Sequence, residues 1–135
     1  MAQKYMLDTD ICSYIIRDNP KELAEKFLLH KENISISVIV CAELMFGIRK
    51  KSSTKLSKRV EQFLYLSKKI DFSEAAAKQY AIIRAECESK GTPLDDMDLM
   101  IAATAMVENA VLVSNNKKHF EKIKGLKVQS WIRVL

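Results

Sequence analysis

Two acidic residues follow a short apolar stretch near the start of the chain. Asp8 comes directly after Tyr5-Met6-Leu7, and Asp10 lies two residues further on. Consecutive apolar residues of this kind predict a buried strand over residues 4–8. An acid at the end of such a strand lies at the carboxyl edge of an open α/β sheet, where ligands bind. The chemistry of the chain then depends on which other acids the fold brings to Asp8.

Two further acids are placed in a comparable way. Glu43 lies in an apolar stretch beyond the second predicted strand, where a lone carboxylate is costly unless it is paired or binds a cation. Asp98 is in the first turn of a predicted helix that leads into an apolar strand. Three carboxylates at one sheet edge would repel one another and need a counter-charge. Oxygen ligands favour Mg²⁺, with Mn²⁺ as a substitute, over zinc.

A cation held by carboxylates can activate water and stabilise the charge of a phosphodiester. The chain has 22 Lys and Arg against 17 Asp and Glu, a net charge of +5, and this excess suits a nucleic acid backbone. Hydrolysis of a phosphate ester is therefore the reaction that the acids and the basic residues favour together.

The bulk composition is that of an ordinary globular protein. With 135 residues, 48% of them apolar and 29% charged, the chain predicts a single domain over 1–135 and excludes a disordered tail. No apolar run is long enough to span a membrane and no signal peptide is evident, so we expect a cytoplasmic protein. Cys12, Cys41 and Cys87 show no metal-site spacing, which indicates buried free thiols.

Apolar periodicity and capping residues predict twelve elements. The strands are predicted over 4–8, 33–37, 69–72, 110–114 and 126–130, and the helices over 11–18, 20–31, 38–50, 54–67, 74–90, 95–109 and 117–123. Asp10, Ser37 and Ser73 are the predicted helix N-caps, and Gly91 closes the fifth helix. Strands separated by helices imply an α/β fold with a mainly parallel sheet covered on both faces. Trp131 is expected to cover one end of the core.

The chain resembles a PIN-domain ribonuclease of the VapC toxin type. The matching pieces follow the family's order from end to end: Met6–Cys12, Ser35–Ser37 through Ala42–Leu44 with Gly47, Lys90–Pro93 through Asp98–Ala102, Leu112–Asn116 with Phe120-Glu121, and Ile123–Val128 with Trp131. The resemblance implies a PIN-like three-layer α/β/α sandwich. It also implies that Asp8, Glu43 and Asp98 are the catalytic acids and the metal ligands, Glu43 directly or through a water.

The same resemblance assigns supporting positions and points out departures. Thr9 and Ser114 are candidate supporting residues. Asn116 stands where many members have a fourth acid, and its amide can hydrogen-bond a metal-bound water without adding charge. Asp10 replaces a commoner Asn and adds charge. His119 stands where an acid is frequent, and no role is assigned to it.

In function, the resemblance implies the toxin of a type II toxin–antitoxin system. Such a toxin is a Mg²⁺-dependent endoribonuclease that cleaves RNA with a metal-activated water, and tRNA is the expected substrate. It is expected to form a homodimer and to be neutralised by a small VapB-type antitoxin whose tail occupies the acidic groove.

Other interpretations of these residues stay open. The Asp8-Thr9-Asp10 start also resembles that of an aspartyl-phosphate-type phosphatase, with Asp8 as the nucleophile and Asp10 as the acid. A non-catalytic RNA-binding module would bind RNA without cleaving it.

Structural roles are possible for the same side chains. Asp8 could begin a turn or cap a helix, and Glu43 could pair with Arg49 or a lysine. Thr9 could contact a phosphate or bond within its turn. For the remaining candidates the plainer expectations are a strand-end bond at Ser114, an N-cap at Asp95, a solvated Asp96, and surface positions for His30 and His119.

Overall fold

The computed structural model describes residues 2–132, and in this range the predicted element order is confirmed. The strands are β1 (Tyr5–Leu7), β2 (Ile34–Ser37), β3 (Lys69–Ile70), β4 (Val111–Val113) and β5 (Val128–Gln129). The helices are α1 (Thr9–Ile16), α2 (Lys21–His30), α3 (Val38–Lys50), α4 (Thr54–Leu66), α5 (Glu74–Ser89), α6 (Asp96–Val107) and α7 (Lys117–Phe120), with a 3-10 turn at Lys31–Asn33.

All described strand pairs are parallel, in the order β3-β2-β1-β4-β5. The chain moves from β1 to β2 and β3 in one direction, then crosses back to β4 and β5 on the other side. Right-handed crossovers therefore place α1–α4 on one face and α5–α7 on the other. Helix contacts agree, since α1 packs on α2, α3 and α4, and α5 packs on α6. This is the expected three-layer α/β/α sandwich.

Helix N-caps determine where two of the strands end and the following helices begin. Ser37 accepts a hydrogen bond from the Val40 N–H at 3.2 Å, which confirms the predicted cap of α3. For α1 the prediction is wrong, because the cap is Asp8 and not Asp10. β1 ends one residue earlier than predicted, at Leu7, so the helix can begin at Thr9. The first candidate acid is thus also the cap of a helix.

Trp131 packs at one end of the core, as predicted, with 5% of its surface exposed. Its ring meets Tyr5 edge-on at 5.3 Å, and His30 lies 5.0 Å from Tyr5 and 5.5 Å from Trp131. His30 is therefore partly buried in an aromatic cluster rather than a surface residue. Cys12, Cys41 and Cys87 are all buried. Within residues 2–132, none of the helices has the length and apolar character needed to cross a membrane.

Gly91 closes α5 in a Schellman motif. Its N–H bonds the Glu88 carbonyl and the Thr92 N–H bonds the Cys87 carbonyl, while the Gly91 φ of +71° is left-handed. Gly47 lies inside α3 instead, and neither glycine has a neighbouring atom within 4 Å of where a Cβ would stand. The two positions therefore differ in backbone conformation and not in available space.

We predict opposite effects for the same substitution at these two glycines. Gly91→Ala should lower the free energy of unfolding by about 1–2 kcal/mol because alanine is strained in the left-handed region. Gly47→Ala should raise it by about 1 kcal/mol through helix propensity. Urea denaturation of both variants measures the difference, and equal effects at the two sites would contradict the helix end described here.

Candidate active site at the carboxyl edge of the sheet

Asp8 is the most buried acid of the site, with 6% of its surface exposed. Its Oδ1 accepts a hydrogen bond from the Ile11 N–H at 2.9 Å, and its Oδ2 accepts one from the Ser114 hydroxyl at 2.6 Å. Burial raises the pKa of Asp8 to about 6, although both hydrogen bonds act to lower it. Asp8 therefore caps a helix and is at the same time a destabilised carboxylate at the sheet edge.

Ser114 links the tips of β1 and β4. It is fully buried, and its Oγ also accepts the Asn116 N–H at 2.9 Å. Leu7 pairs with Val113, so Asp8 and Ser114 are neighbours across the two parallel strands. The Ser114 hydroxyl thus makes both the predicted bond at the end of the strand and a contact with the candidate acid Asp8.

Glu43 projects from the second turn of α3 and is half-buried. The Thr9 hydroxyl donates to its Oε1 at 2.6 Å, so Thr9 contacts another candidate acid rather than its own turn. The pKa of Glu43 is raised, first by burial and then by the charges of Asp98, Asp95 and Asp10, while the Thr9 bond acts against the rise.

Asp98 lies in the first turn of α6, where its Oδ2 is 3.0 Å from Nε2 of His119. Burial raises the pKa of Asp98, while the hydrogen bond and charge of His119 act to lower it. The expectation of a surface position for His119 is therefore wrong, because its side chain is partly buried against a candidate acid. The two residues are 21 positions apart, and only the turn from β4 into α7 brings them together.

The three acids lie in one electrostatic field. The charge of Asp98 raises the pKa values of Asp8 and Glu43, and the charge of exposed Asp10 raises those of all three. Among residues 2–132, the lysine and arginine ion pairs all lie elsewhere, and His119 alone pairs with a member of the trio. The alternative in which Glu43 pairs with Arg49 or a lysine is therefore not found among the described ion pairs.

This donor set fits a hard divalent cation, because it consists of repelling carboxylate oxygens with raised pKa values. In the described part of the chain, however, no three His, Cys, Asp or Glu side chains are already arranged around one ion position. Each acid is instead turned onto its own partner, Ser114, Thr9 or His119. Metal binding would therefore require these side chains to shift toward one ion position.

Comparison with known proteins identifies the fold. A family model described as the PIN domain matches residues 5–126. The chain belongs to the PIN-domain family. It is 42% identical over 130 residues to ribonuclease VapC2 of Rickettsia felis, covering 94% of this chain and 97% of that protein. It is 36% identical over 129 residues to the tRNA(fMet)-specific endonuclease VapC of Salmonella typhimurium, covering 95% and 98%. The resemblance to VapC ribonucleases is thereby confirmed.

Solved structures of VapBC complexes contain chains with the same fold as this protein. The crystal structure of VapBC2 from Rickettsia felis bound to a promoter DNA fragment matches with a TM-score of 0.89 at 38% identity, over 96% of this chain and all of that one. DNA-bound VapBC from Salmonella typhimurium matches with a TM-score of 0.88 at 35% identity, over 97% and 100%.

The remaining candidate residues of this PIN domain lie at the rim. Asn116 is exposed, and its backbone rather than its amide contacts Ser114. Asp95 is the residue before α6, without a side-chain capping bond. Asp96 is exposed but not merely solvated, because it accepts a bond from the Tyr80 hydroxyl at 3.0 Å and pairs with Arg84 at 3.3 Å.

A groove between α1, α3 and α4 opens beside Glu43. Its lining includes Thr9 and Glu43 at the acidic end and the cationic side chains of Arg17 and Lys51, both of which are exposed. The candidate active site therefore has an acidic floor, formed by Asp8, Glu43 and Asp98, with basic residues nearby.

We predict that Asp8→Asn stabilises the metal-free protein. Asparagine caps helices as well as aspartate does but carries no charge. A carboxyl pKa raised from 3.8 to about 6 means that the folded state keeps a proton that the unfolded chain has lost. The contribution of Asp8 to wild-type stability therefore falls as pH rises from about 4 to 6, by about 3 kcal/mol in all. Asp8→Asn has no ionisable group at this position and therefore lacks this loss of stability.

Thermal unfolding in EDTA measures this difference. The Tm of Asp8→Asn should exceed that of wild type at pH 7.5 and approach it near pH 4. Asp96→Asn, which removes an exposed charge from the first turn of α6, is the control. A wild type as stable as Asp8→Asn at pH 7.5 would contradict the cost assigned to buried Asp8.

Proposed function

We propose that this protein is a Mg²⁺-dependent endoribonuclease that hydrolyses RNA phosphodiester bonds and acts as the toxin of a type II toxin–antitoxin system. The observation that supports it best is the convergence of Asp8, Glu43 and Asp98 at the carboxyl edge of a PIN fold. These acids have raised pKa values, and no lysine or arginine of the described residues neutralises them.

Each residue has a distinct task in this proposal. Asp8, Asp98 and Glu43 would hold the cation, Glu43 directly or through a water. When bound, the cation supplies Lewis acidity that activates water and offsets charge on the phosphate. Ser114 keeps the Asp8 carboxylate in place, and Thr9 does the same for Glu43. Asp10 adds negative charge from the rim, and the exposed amide of Asn116 is free to reach a water near the metal.

The basic residues around the groove would hold the substrate. Arg17 and Lys51 lie beside the acidic floor, and such side chains contact phosphates of an RNA backbone. A relative with 36% identity is named for action on tRNA(fMet), so tRNA is the substrate we test first. The expected antitoxin is of the VapB type, since the solved relatives are VapBC complexes. A homodimer, a single domain over 1–135 and a cytoplasmic location stay predictions.

The alternative of an aspartyl-phosphate phosphatase is disfavoured by the surroundings of Asp8. Both carboxylate oxygens accept hydrogen bonds and the side chain is buried, which makes attack on phosphorus difficult. A non-catalytic RNA-binding module would not need a buried carboxylate whose pKa is raised to about 6. Phosphoryl transfer to Asp8, or RNA binding without cleavage, would support those alternatives.

We predict that Asp98→Asn reduces RNA cleavage by at least about a hundredfold, because it removes a metal ligand from the reacting site. Asp96→Asn is the matched control, since it makes the same change two residues earlier in α6 on a side chain that faces Tyr80 and Arg84. Cleavage is measured on purified tRNA with Mg²⁺ and with EDTA, and 5′ ends are mapped after brief expression.

Wild type and Asp96→Asn should cut, and EDTA should stop both. The proposal fails if Asp98→Asn cuts as fast as wild type, or if EDTA leaves the wild-type rate unchanged. Circular dichroism of each variant shows that a lost activity is not a lost fold.

A further inference from the structure

His119 contacts the acidic site but has no task in the proposed function. Its Nε2 lies 3.0 Å from Asp98 Oδ2, and 25% of its side chain is exposed. The ring stands edge-on against Phe120, with centroids 5.3 Å apart and an interplanar angle of 81°. Phe120 is buried, so its packing against the imidazole restricts the movement of the His119 ring beside the Asp98 carboxylate.

The spacing of these two atoms suits shared ligation as well as a hydrogen bond. Adjacent ligands of an octahedral ion with bonds of about 2.1 Å lie about 3 Å apart. Nε2 and Oδ2 already have this separation, and both residues are partly open to solvent. An ion could therefore bind both atoms at this separation once the imidazole ring turns so that the Nε2 lone pair points at the ion instead of at Oδ2.

We propose that His119 is a ligand of the divalent ion, with Nε2 beside the Asp98 carboxylate, so that the site binds a first-row transition ion such as Mn²⁺ more tightly than Mg²⁺. The inference deepens the proposed function and relies on it for the location of the metal.

The chemistry of the ligands explains the preference. Mg²⁺ demands oxygen ligands and keeps much of its water, whereas imidazole nitrogen binds first-row transition ions. Two positions where the resemblance gives acids carry neutral or weakly basic groups here, Asn116 and His119. Fewer negative charges weaken a site that attracts Mg²⁺ mainly by charge. A nitrogen ligand compensates by adding affinity only for ions that accept nitrogen.

The test uses Mn²⁺ as the probe on untagged protein. The chain contains only two histidines, His30 and His119, and His30 lies in the aromatic cluster with Tyr5 and Trp131. Electron spin echo modulation of bound Mn²⁺ should show coupling to imidazole ¹⁴N in wild type and in His30→Gln. The coupling should be absent in His119→Gln. Growth with ¹⁵N-labelled histidine should change the wild-type signal without altering any residue.

Affinity gives a second measurement. We expect His119→Gln to bind Mn²⁺ at least about tenfold more weakly, because even indirect metal contacts are worth this much. Its Mg²⁺ affinity should stay near that of wild type, since Mg²⁺ gains little from nitrogen. His119→Glu should bind Mg²⁺ more tightly than wild type because it restores an oxygen ligand and a charge.

The inference is overturned if wild type bound to Mn²⁺ shows no ¹⁴N coupling, or if His119→Gln keeps both the coupling and the affinity. The ¹⁵N experiment on wild type decides even if a variant does not fold. The two proposals can fail separately. Nitrogen ligation without RNA cleavage would leave this inference standing and remove the proposed function, and cleavage without nitrogen ligation would do the reverse.

Discussion

The central constraint is the burial of the Asp8 carboxylate at the middle of a parallel sheet. β1 lies between β2 and β4, so the residue that follows it is enclosed by neighbouring strand tips. The Ile11 N–H, the Ser114 hydroxyl and the positive end of α1 all stabilise its negative charge. They offset only part of the desolvation cost, and the pKa still rises to about 6. The fold therefore maintains a carboxylate that a cation can stabilise further.

The position of the site follows from the topology. The direction of the chain across the sheet reverses between β1 and β4, which makes their junction the switch point where open α/β sheets bind ligands. α3 approaches this junction from one face and carries Glu43. α6 approaches from the other face and carries Asp98, and the two helices contact each other. Acids distant in sequence therefore meet because the N-terminal ends of both helices lie at the carboxyl edge of the sheet.

The element order and the acidic trio could be predicted from the sequence because each rests on local patterns. Apolar runs mark the strands, and Ser37 and Gly91 mark helix ends by their own chemistry. The cap of α1 could not be assigned by periodicity, since Asp8 and Asp10 both precede Ile11. The backbone decides, because β1 ends at Leu7 and leaves Asp8 extended, with a φ of −78° and a ψ of 175°.

Side-chain partners were less predictable for a physical reason. Thr9 and Glu43 are 34 residues apart and lie on different helices, so their bond depends on how α1 packs against α3. The contact of His119 with Asp98 depends likewise on the short turn after β4. A sequence pattern specifies which helix a residue belongs to, but the packing angle between two helices specifies which atoms meet.

Burial changes systematically across the site, and this gradient connects the fold to its chemistry. Asp8 lies deepest, Glu43 and Asp98 are half-buried, and Asp10 is exposed at the rim. Charge therefore becomes costlier toward the floor, where the dielectric is lower and a cation is attracted most strongly. The groove beside Glu43 adds Arg17 and Lys51. A phosphodiester that contacts these basic groups would place its backbone over the acids. A bound metal ion would then offset the repulsion between the carboxylates and the phosphate.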